Sequence, residues 1–434
     1  MESILGKKLL FLGGTPAIRK VVEKAKSMGI FTIVIDYYAN DDYLHSPAKR
    51  IADESYQIST FDIEGVIRCC RSKRIDGIFC CYSDSLLPVC LQICEKLKLP
   101  FYATEEQIRL SVDKAFFKQM CREYGVPVPA DYRICSGYTD KDILKIQFPV
   151  IVKPVDNSGG RGVKICRDCN ALQSAFENAM QSSPSKTVLV EEYISGDEVT
   201  AVYTMKNGEV SLSCFRDRYL SEDHPDITAQ FDVSLIPSRY QRLFYETANP
   251  KLIEMFKGLG ARDGNVFVQG IAANDNIRVF ECGYRMNALL DYENIRHENG
   301  IDYLEMMICH ALTGTMGAYD LSLDNADFKH PSAIFDINLH GGIIGGIEGI
   351  ERVSEIPGVL SCVQLRSVGD TVIENNDLRQ TVLRVSLTGG CLEELCSTIH
   401  SIQSLVKVTD TTGRDMLYKP FDTDRFWADS CAPR

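Results

Sequence analysis

No apolar run in the chain approaches the ~18–20 residues needed to cross a bilayer. There is no low-complexity tract, internal repeat or long block of like charge, and the composition is near the globular average, which excludes disorder, collagen and a pure coiled coil. Positive charge is the minority sign: 47 Lys and Arg stand against 59 Asp and Glu, for a formal charge of −12. With no local basic patch, nucleic acid is not an expected partner. A Walker phosphate loop is missing, because no Gly-Lys-Ser/Thr follows the glycines. So is a second Cys-x-x-Cys beside Cys166-Arg167-Asp168-Cys169, which leaves a zinc site without half its ligands. A leader peptide is not expected either, since Leu9-Leu10-Phe11-Leu12 is short and is interrupted by Gly13-Gly14-Thr15-Pro16. Seventeen cysteines, some as the adjacent pairs Cys69-Cys70 and Cys80-Cys81, read as small buried hydrophobes in a reducing compartment. The expectation is a cytoplasmic protein with no membrane contact.

What is present is a chain of 434 residues, 45% hydrophobic, enough for about two to four domains. The first hundred residues alternate strands (8–13, 31–36, 54–58, 77–81) with helices (17–28, 62–72, 83–97), the pattern of a doubly wound parallel sheet. The Gly13-Gly14 turn supplies two of the three dinucleotide-fingerprint glycines, a weak pointer. A helix is expected over 104–124, opened by a capping box of Thr104 and Gln107. Strands at 148–153, 163–166 and 187–193 and a helix at 171–181 follow. Two hairpins are expected, 198–206 with 209–215 through Asn207-Gly208, and 265–274 with 276–282 through Asp275-Asn276. The last ninety or so residues carry short strands and one helix at 392–402, a small α+β unit.

Three segments carry chemistry. In the first, the apolar strand Val150-Ile151-Val152 ends in Lys153 and runs into Asn157-Ser158-Gly159-Gly160-Arg161-Gly162. An ammonium beside a glycine-rich turn suits a triphosphate, with backbone N–H groups closing over the oxygens; an ordinary hairpin turn with an exposed lysine fits equally. In the second, Val188-Leu189-Val190 emerges into Glu191-Glu192-Tyr193-Ile194, with Glu198 four residues beyond. This suits an adenine edge and ribose hydroxyls, or is a plain acidic loop. In the third, the hairpin sets Gln269 beside Glu281 inside apolar strands, with Arg285 four residues on. A buried carboxylate must be paired or hold a cation, and Mg²⁺ takes one or two carboxylates plus substrate phosphates. A structural Glu281–Arg285 ion pair is the other reading.

In this order, the three segments resemble the ATP-grasp superfamily, which includes the L-amino-acid (dipeptide) ligases, carbamoyl-phosphate synthetase and biotin carboxylase. The resemblance implies an α/β and α+β multidomain fold: a Rossmann-like parallel-sheet domain at residues 1–104, a two-lobed ATP-grasp domain at 105–340 and a small α+β domain at 341–434. It implies Lys114 and Lys153 as ATP lysines, Ser158, Gly159, Gly160 and Gly162 as phosphate lid, and Glu191, Glu192, Tyr193 and Ile194 as adenine hinge. It further implies Glu198 on the ribose, Arg218 as a phosphate contact, Gln269 and Glu281 on Mg²⁺ (or Mn²⁺), and Arg285, with Lys153, as catalytic. The activity implied is carboxylate–amine ligation through an acyl phosphate, acting on small molecules, with a homodimer as the default. Bicarbonate-dependent carboxylation and a silent ATP-binding regulator are the alternatives. Two departures stand out: Gly283 replaces the asparagine of the family's Glu-x-Asn-x-Arg, and Met286-Asn287-Ala288-Leu289-Leu290-Asp291 replaces glycines after the arginine.

Overall fold

Strand β1 (Lys8–Leu12) is apolar and buried from its second residue, as a strand flanked on both sides must be. It pairs in parallel with β2 (Phe31–Asp36) and β4 (Gly77–Phe79), and β3 (Glu54–Gln57) adds to β2, giving the order β3-β2-β1-β4. The computed structural model describes residues 4–428 apart from 81, 133, 135–136, 158–161, 222–229 and 375–377. The Gly13-Gly14 turn is used internally: the Gly14 N–H donates to Asp36 at 2.8 Å, and a Cβ on Gly14 would lie 1.8 Å from Ser46 Oγ. Cys69, Cys70, Cys90 and Cys94 are buried, packed as apolar side chains in the core of this unit.

The helix expected over 104–124 is in fact two, Glu105–Val112 and Lys114–Glu123. The capping box of Thr104 and Gln107 opens the first. The break falls at Asp113, whose extended backbone ends one helix while its carboxylate accepts from Ala115 and Phe116 N–H groups at 3.0 Å to cap the next. This restart places Lys114 at the first helical position.

A three-stranded antiparallel sheet, β6 (Lys164–Cys166), β5 (Val150–Pro154) and β7 (Val188–Glu192), is backed by the helix Cys169–Ser182. Beside it lies a larger antiparallel sheet that includes β8 (Asp197–Lys206), β9 (Glu209–Leu220), β10 (Phe231–Ile236), β11 (Gly264–Ala273) and β12 (Asn276–Gly283). Asn207 and Gly208 both have positive φ, 54° and 88°, as a type I′ turn requires. The second hairpin turns one residue earlier than expected, with positive φ at Asn274 and Asp275. Strands β13 (Ser332–Asn338), β15 (Val359–Gln364) and β17 (Thr381–Thr388) extend the sheet to eight in the order β12-β11-β8-β9-β10-β13-β17-β15. The sheet thus runs through position 340. A small sheet of β14 (Gly342–Glu348), β16 (Thr371–Val372) and β18 (Lys407–Asp410) and the helix Leu392–Leu405 pack against its far end. No helix among the described residues is long and apolar enough to cross a membrane. The N-terminal unit docks through an apolar cluster in which Leu9 and Phe11 share a core with Met286, Leu290 and Met307.

Candidate functional site

Cross-strand register lines up four polar residues on the large sheet. Glu281 lies opposite Gln269, Gln269 opposite Thr200, and Thr200 opposite Arg216. With strands ~4.8 Å apart, the row spans roughly 14 Å. Two residues along, Glu198 lies opposite Arg218. These residues floor a cleft of about 280 Å³, walled by Lys153 of β5, Lys114, and Tyr82 and Asp84 of the N-terminal unit. Of the residues expected from sequence, Lys114, Lys153, Glu198, Arg218, Gln269, Glu281 and Arg285 all line it. A wider hollow of about 460 Å³ between His297, His330 and Glu394 has no lysine or arginine in its lining, so it lacks the cations that polyphosphate binding needs.

In the cleft each cation holds a carboxylate. Lys114 Nζ sits 3.2 Å from Glu281 Oε1 and donates to the Asn157 carbonyl at 2.7 Å, tying the start of the glycine-rich loop to β12. Arg218 pairs with Glu198, and Lys153 with Glu191. With its amide turned to satisfy both neighbours, Gln269 donates to Glu281 at 3.1 Å and accepts from Arg218 at 3.2 Å. Burial pushes the Glu281 carboxyl up, but Lys114, Lys153 and Arg285 outweigh it and hold the group below the ordinary glutamate range. Burial, with Lys118 and Lys114 as like charges, drives the Lys153 ammonium well below its usual value. Burial also raises Glu198 despite the pull of Arg218.

The Glu281–Arg285 pairing offered as the alternative reading is replaced by a different one. Arg285 forks onto Asp84, Nε to Oδ1 at 2.7 Å and Nη2 to Oδ2 at 2.6 Å, and its Nη1 donates to the Met286 carbonyl at 2.9 Å. The guanidinium lies 5.0 Å from the centre of the Phe267 ring. That ring accounts for Gly283. Phe267 is its cross-strand partner, and a Cβ on Gly283 would come 2.2 Å from Phe267 Cε1, so an asparagine has no room there. In the segment that departs from glycine, Leu290 takes φ +64°, a conformation costing ~1–2 kcal/mol that glycine adopts freely. The Leu290 side chain is fully buried, which offsets the strain.

Sequence reasoning missed three features. Asp84 carried no local signal. Lys118 lies one turn after Lys114 and pairs with Glu191. Arg216 pairs with Asp291, which also accepts from Asn287 at 2.6 Å and from the Tyr303 hydroxyl, fixing the segment after Arg285. Four expected residues lie elsewhere. Glu191, Glu192, Tyr193 and Ile194 are not in the lining, and the Glu192 and Tyr193 N–H groups are already donated to the Ala130 and Pro149 carbonyls at 2.9 and 3.2 Å. Gly162, at φ +78°, packs against Ser182 and Pro154. Ser158, Gly159 and Gly160 fall outside the described residues.

No cluster of three His, Cys, Asp or Glu side chains among the described residues could hold a metal by itself. The ionised Glu281 carboxylate fits a hard cation that completes its shell with phosphate and water, whereas the Gln269 oxygen is taken by Arg218 in this arrangement and reaches such a cation only when its amide turns. Gly283 adds no donor.

Residues 132–281 match the family described as D-ala D-ala ligase C-terminus. The chain is 26% identical over 208 residues to formate-dependent phosphoribosylglycinamide formyltransferase of Bacillus subtilis (strain 168), covering 46% of this chain and 52% of that protein. It therefore spans about half the length of that curated relative. Among solved structures, the L-amino acid ligase from Bacillus licheniformis superposes with a TM-score of 0.74 at 16% identity, over 94% of this chain and 99% of that one. The biotin carboxylase domain of Hydrogenobacter thermophilus 2-oxoglutarate carboxylase, in complex with MgADP, ADP and bicarbonate, gives 0.75 at 18% identity, over 95% and 92%. At these identities the likeness is one of fold.

Proposed function

We propose, from the premise that this chain carries an ATP-grasp domain, that it is an ATP-dependent carboxylate–amine ligase. The observation that carries the proposal is the single cleft in which Lys114, Lys153, Arg218 and Arg285 surround the Gln269–Glu281 pair. ATP is the phosphoryl donor in this reading, and Mg²⁺, or Mn²⁺ in its place, would neutralise phosphate charge when bound. In the same reading residues 1–104 form the Rossmann-like unit, 105–340 the two-lobed grasp and 341–434 a small α+β unit, with the last two joined because β15 and β17 belong to the large sheet.

The residues then take the following roles. Glu281 offers a carboxylate oxygen for the cation, and Gln269 a second oxygen once its amide turns from Arg218. Lys153 and Lys114 neutralise the phosphates, Ser158, Gly159, Gly160 and Gly162 are the residues expected as their lid, and Arg218 reaches the same phosphates from β9. Glu198 borders the nucleoside, and Glu191 to Ile194, which lie outside the cleft lining, are the expected hinge beside its base. A substrate carboxylate oxygen attacks the γ-phosphorus, and the bond to the β,γ-bridging oxygen breaks, releasing ADP. Arg285, aimed from the Asp84 fork, stabilises the charge on the acyl phosphate. A neutral amine nitrogen attacks the acyl carbon, the C–N bond forms, the C–O bond to phosphate breaks, and the proton shed by the nitrogen leaves with the phosphate. Closure over the cleft keeps water from the acyl phosphate. The partners are small carboxylates and amines, the location is cytoplasmic and a homodimer is the default assembly.

ADP release with Mg-ATP, measured against amino acids and small carboxylic acids singly and in pairs, tests this. Stimulation is expected to require two substrates, and Lys153→Ala and Glu281→Ala are each expected to abolish it. Full turnover in both variants would sink the assignment of the cleft. Bicarbonate alone as the stimulant would point to carboxylation, and nucleotide binding without ADP from any pair to a regulator.

A further inference from the structure

Behind the cleft lies a charge arrangement with one member, Lys118, that the ligation chemistry leaves unused. Glu191 on β7 is buried, and its two carboxylate oxygens are divided between two buried lysines: Oε1 pairs with Lys153 of β5, and Oε2 with Lys118 of the helix Lys114–Glu123. The Lys118 side chain is 1% exposed and that of Glu191 2%. Lys118 has one further acceptor nearby, the Pro129 carbonyl at 3.4 Å. Lys153 lines the cleft and Lys118 does not. When both lysines are protonated, one carboxylate shared by two ammonium groups leaves a surplus positive charge on the side that faces the cleft.

The arrangement solves a problem that any anion-binding lysine in this position meets. For Lys153 to turn to an incoming phosphate, it must loosen its hold on Glu191. A buried carboxylate that loses its only counter-charge is strongly destabilised, so a simple Lys153–Glu191 pair would oppose ligand binding. We propose that Lys118 is a positioning residue for the nucleotide site: it keeps Glu191 neutralised, so that Lys153 is released to the phosphates. The proposal rests on the nucleotide reading of the cleft given above.

The groups around Lys118 give it a signature in pH. Glu191 and Glu192 face it from β7 and Lys153 from β5, while Lys114, Cys121 and Arg122 share its helix. Burial, with Arg122 adding a like charge, pushes the Lys118 ammonium down to about 7. When Lys153 turns to phosphate, both carboxylate oxygens fall to Lys118, which raises its proton affinity. Nucleotide binding is then coupled to proton uptake, and affinity falls as pH rises through about 7.

The test is isothermal titration of Mg-ADP into the full-length chain between pH 6 and 9, in buffers of different ionisation enthalpy. Wild type should take up protons on binding above neutral pH. Lys118→Met should weaken Mg-ADP about tenfold and flatten the profile, while Lys118→Arg should restore affinity to within about threefold and keep the profile flat. Lys118→Gln, which retains a donor towards Glu191 without the charge, should behave as Lys118→Met and serves in its place if methionine prevents folding. Added to Lys153→Met, Lys118→Met should cost nothing more, because it acts only through Lys153. Unchanged affinity in the uncharged variants, or a full additional loss in the double variant, overturns the proposal and leaves the nucleotide reading standing. Failure of wild type to bind Mg-ADP at all overturns both.

Discussion

Substituting Asp291 with asparagine removes the charge that fixes the wall of the cleft. Its side chain is fully buried, and that of its partner Arg216 is 1% exposed. Asparagine keeps the shape and leaves an oxygen for the Tyr303 hydroxyl, but its NH2 then faces the Arg216 and Asn287 donors, so the loss is that of the counter-charge together with the two hydrogen bonds accepted by Oδ2. A guanidinium buried without its carboxylate costs about 3–5 kcal/mol. At ~2–4 °C per kcal/mol for a large cooperative unit, the unfolding midpoint should fall by on the order of 10 °C. Removing both charges, as in Asp291→Asn with Arg216→Met, should cost much less than the two single changes added together. The expected coupling is about 2–4 kcal/mol, because the double variant buries no unpaired ion. Urea unfolding followed by far-ultraviolet circular dichroism gives all four corners of the cycle, the midpoint moving at constant slope. A single Asp291→Asn within about 1 kcal/mol of wild type, or strictly additive losses, would refute the claim that this pair is dry and mutually required.

Two further outcomes follow from the geometry. Arg285→Lys cannot reproduce the two-pronged contact with Asp84, so ADP release should fall by about a hundredfold or more; turnover within threefold of wild type would exclude a role at the reacting phosphoryl group. Burial lifts the Asp217 carboxyl to about 6, against the lowering pull of the Ser238 hydroxyl and the Arg239 N–H at 3.1 Å. Its folded-state value lies above the unfolded one, so the native state binds the proton more tightly and stability drops as pH rises from ~4 to ~6. The drop is roughly 3 kcal/mol. Asp217→Asn should remove that slope in unfolding measurements across the window, and an identical pH dependence in wild type and variant would contradict the burial argument.

Much of this architecture was legible because it is local. Period and turn chemistry located the strands of the parallel sheet, and Asn207-Gly208 gave its hairpin directly. The second hairpin was misplaced by one residue at its turn, since Asn274, Asp275 and Asn276 all tolerate positive φ, yet the register that matters, Gln269 opposite Glu281, survived. The break at Asp113 was readable in principle: an aspartate before Lys-Ala-Phe is a cap, and the unbroken apolar spacing concealed it. The partners of the site residues were not readable. Asp84 meets Arg285 across 201 positions of sequence, and Glu191 meets Lys118 through the stacking of a helix on a strand. Nothing in either segment announces the other. The absence of an asparagine at 283 stood out in the sequence as a departure from the family pattern. In three dimensions it is the space taken by the Phe267 ring.

The shared eight-stranded sheet also bears on how the chain is made. As β10 emerges from the ribosome it can pair with β9, but its other neighbour, β13, is still to be synthesised, and β17 and β15 come later still. Until then Phe231–Ile236 is an unsatisfied, largely apolar rim, the kind of edge that recruits strands from other molecules. Release from the ribosome before β13 is made would leave a product whose grasp-like half is folded yet adhesive. The closing strands protect the nascent protein from its own copies as much as they complete its shape.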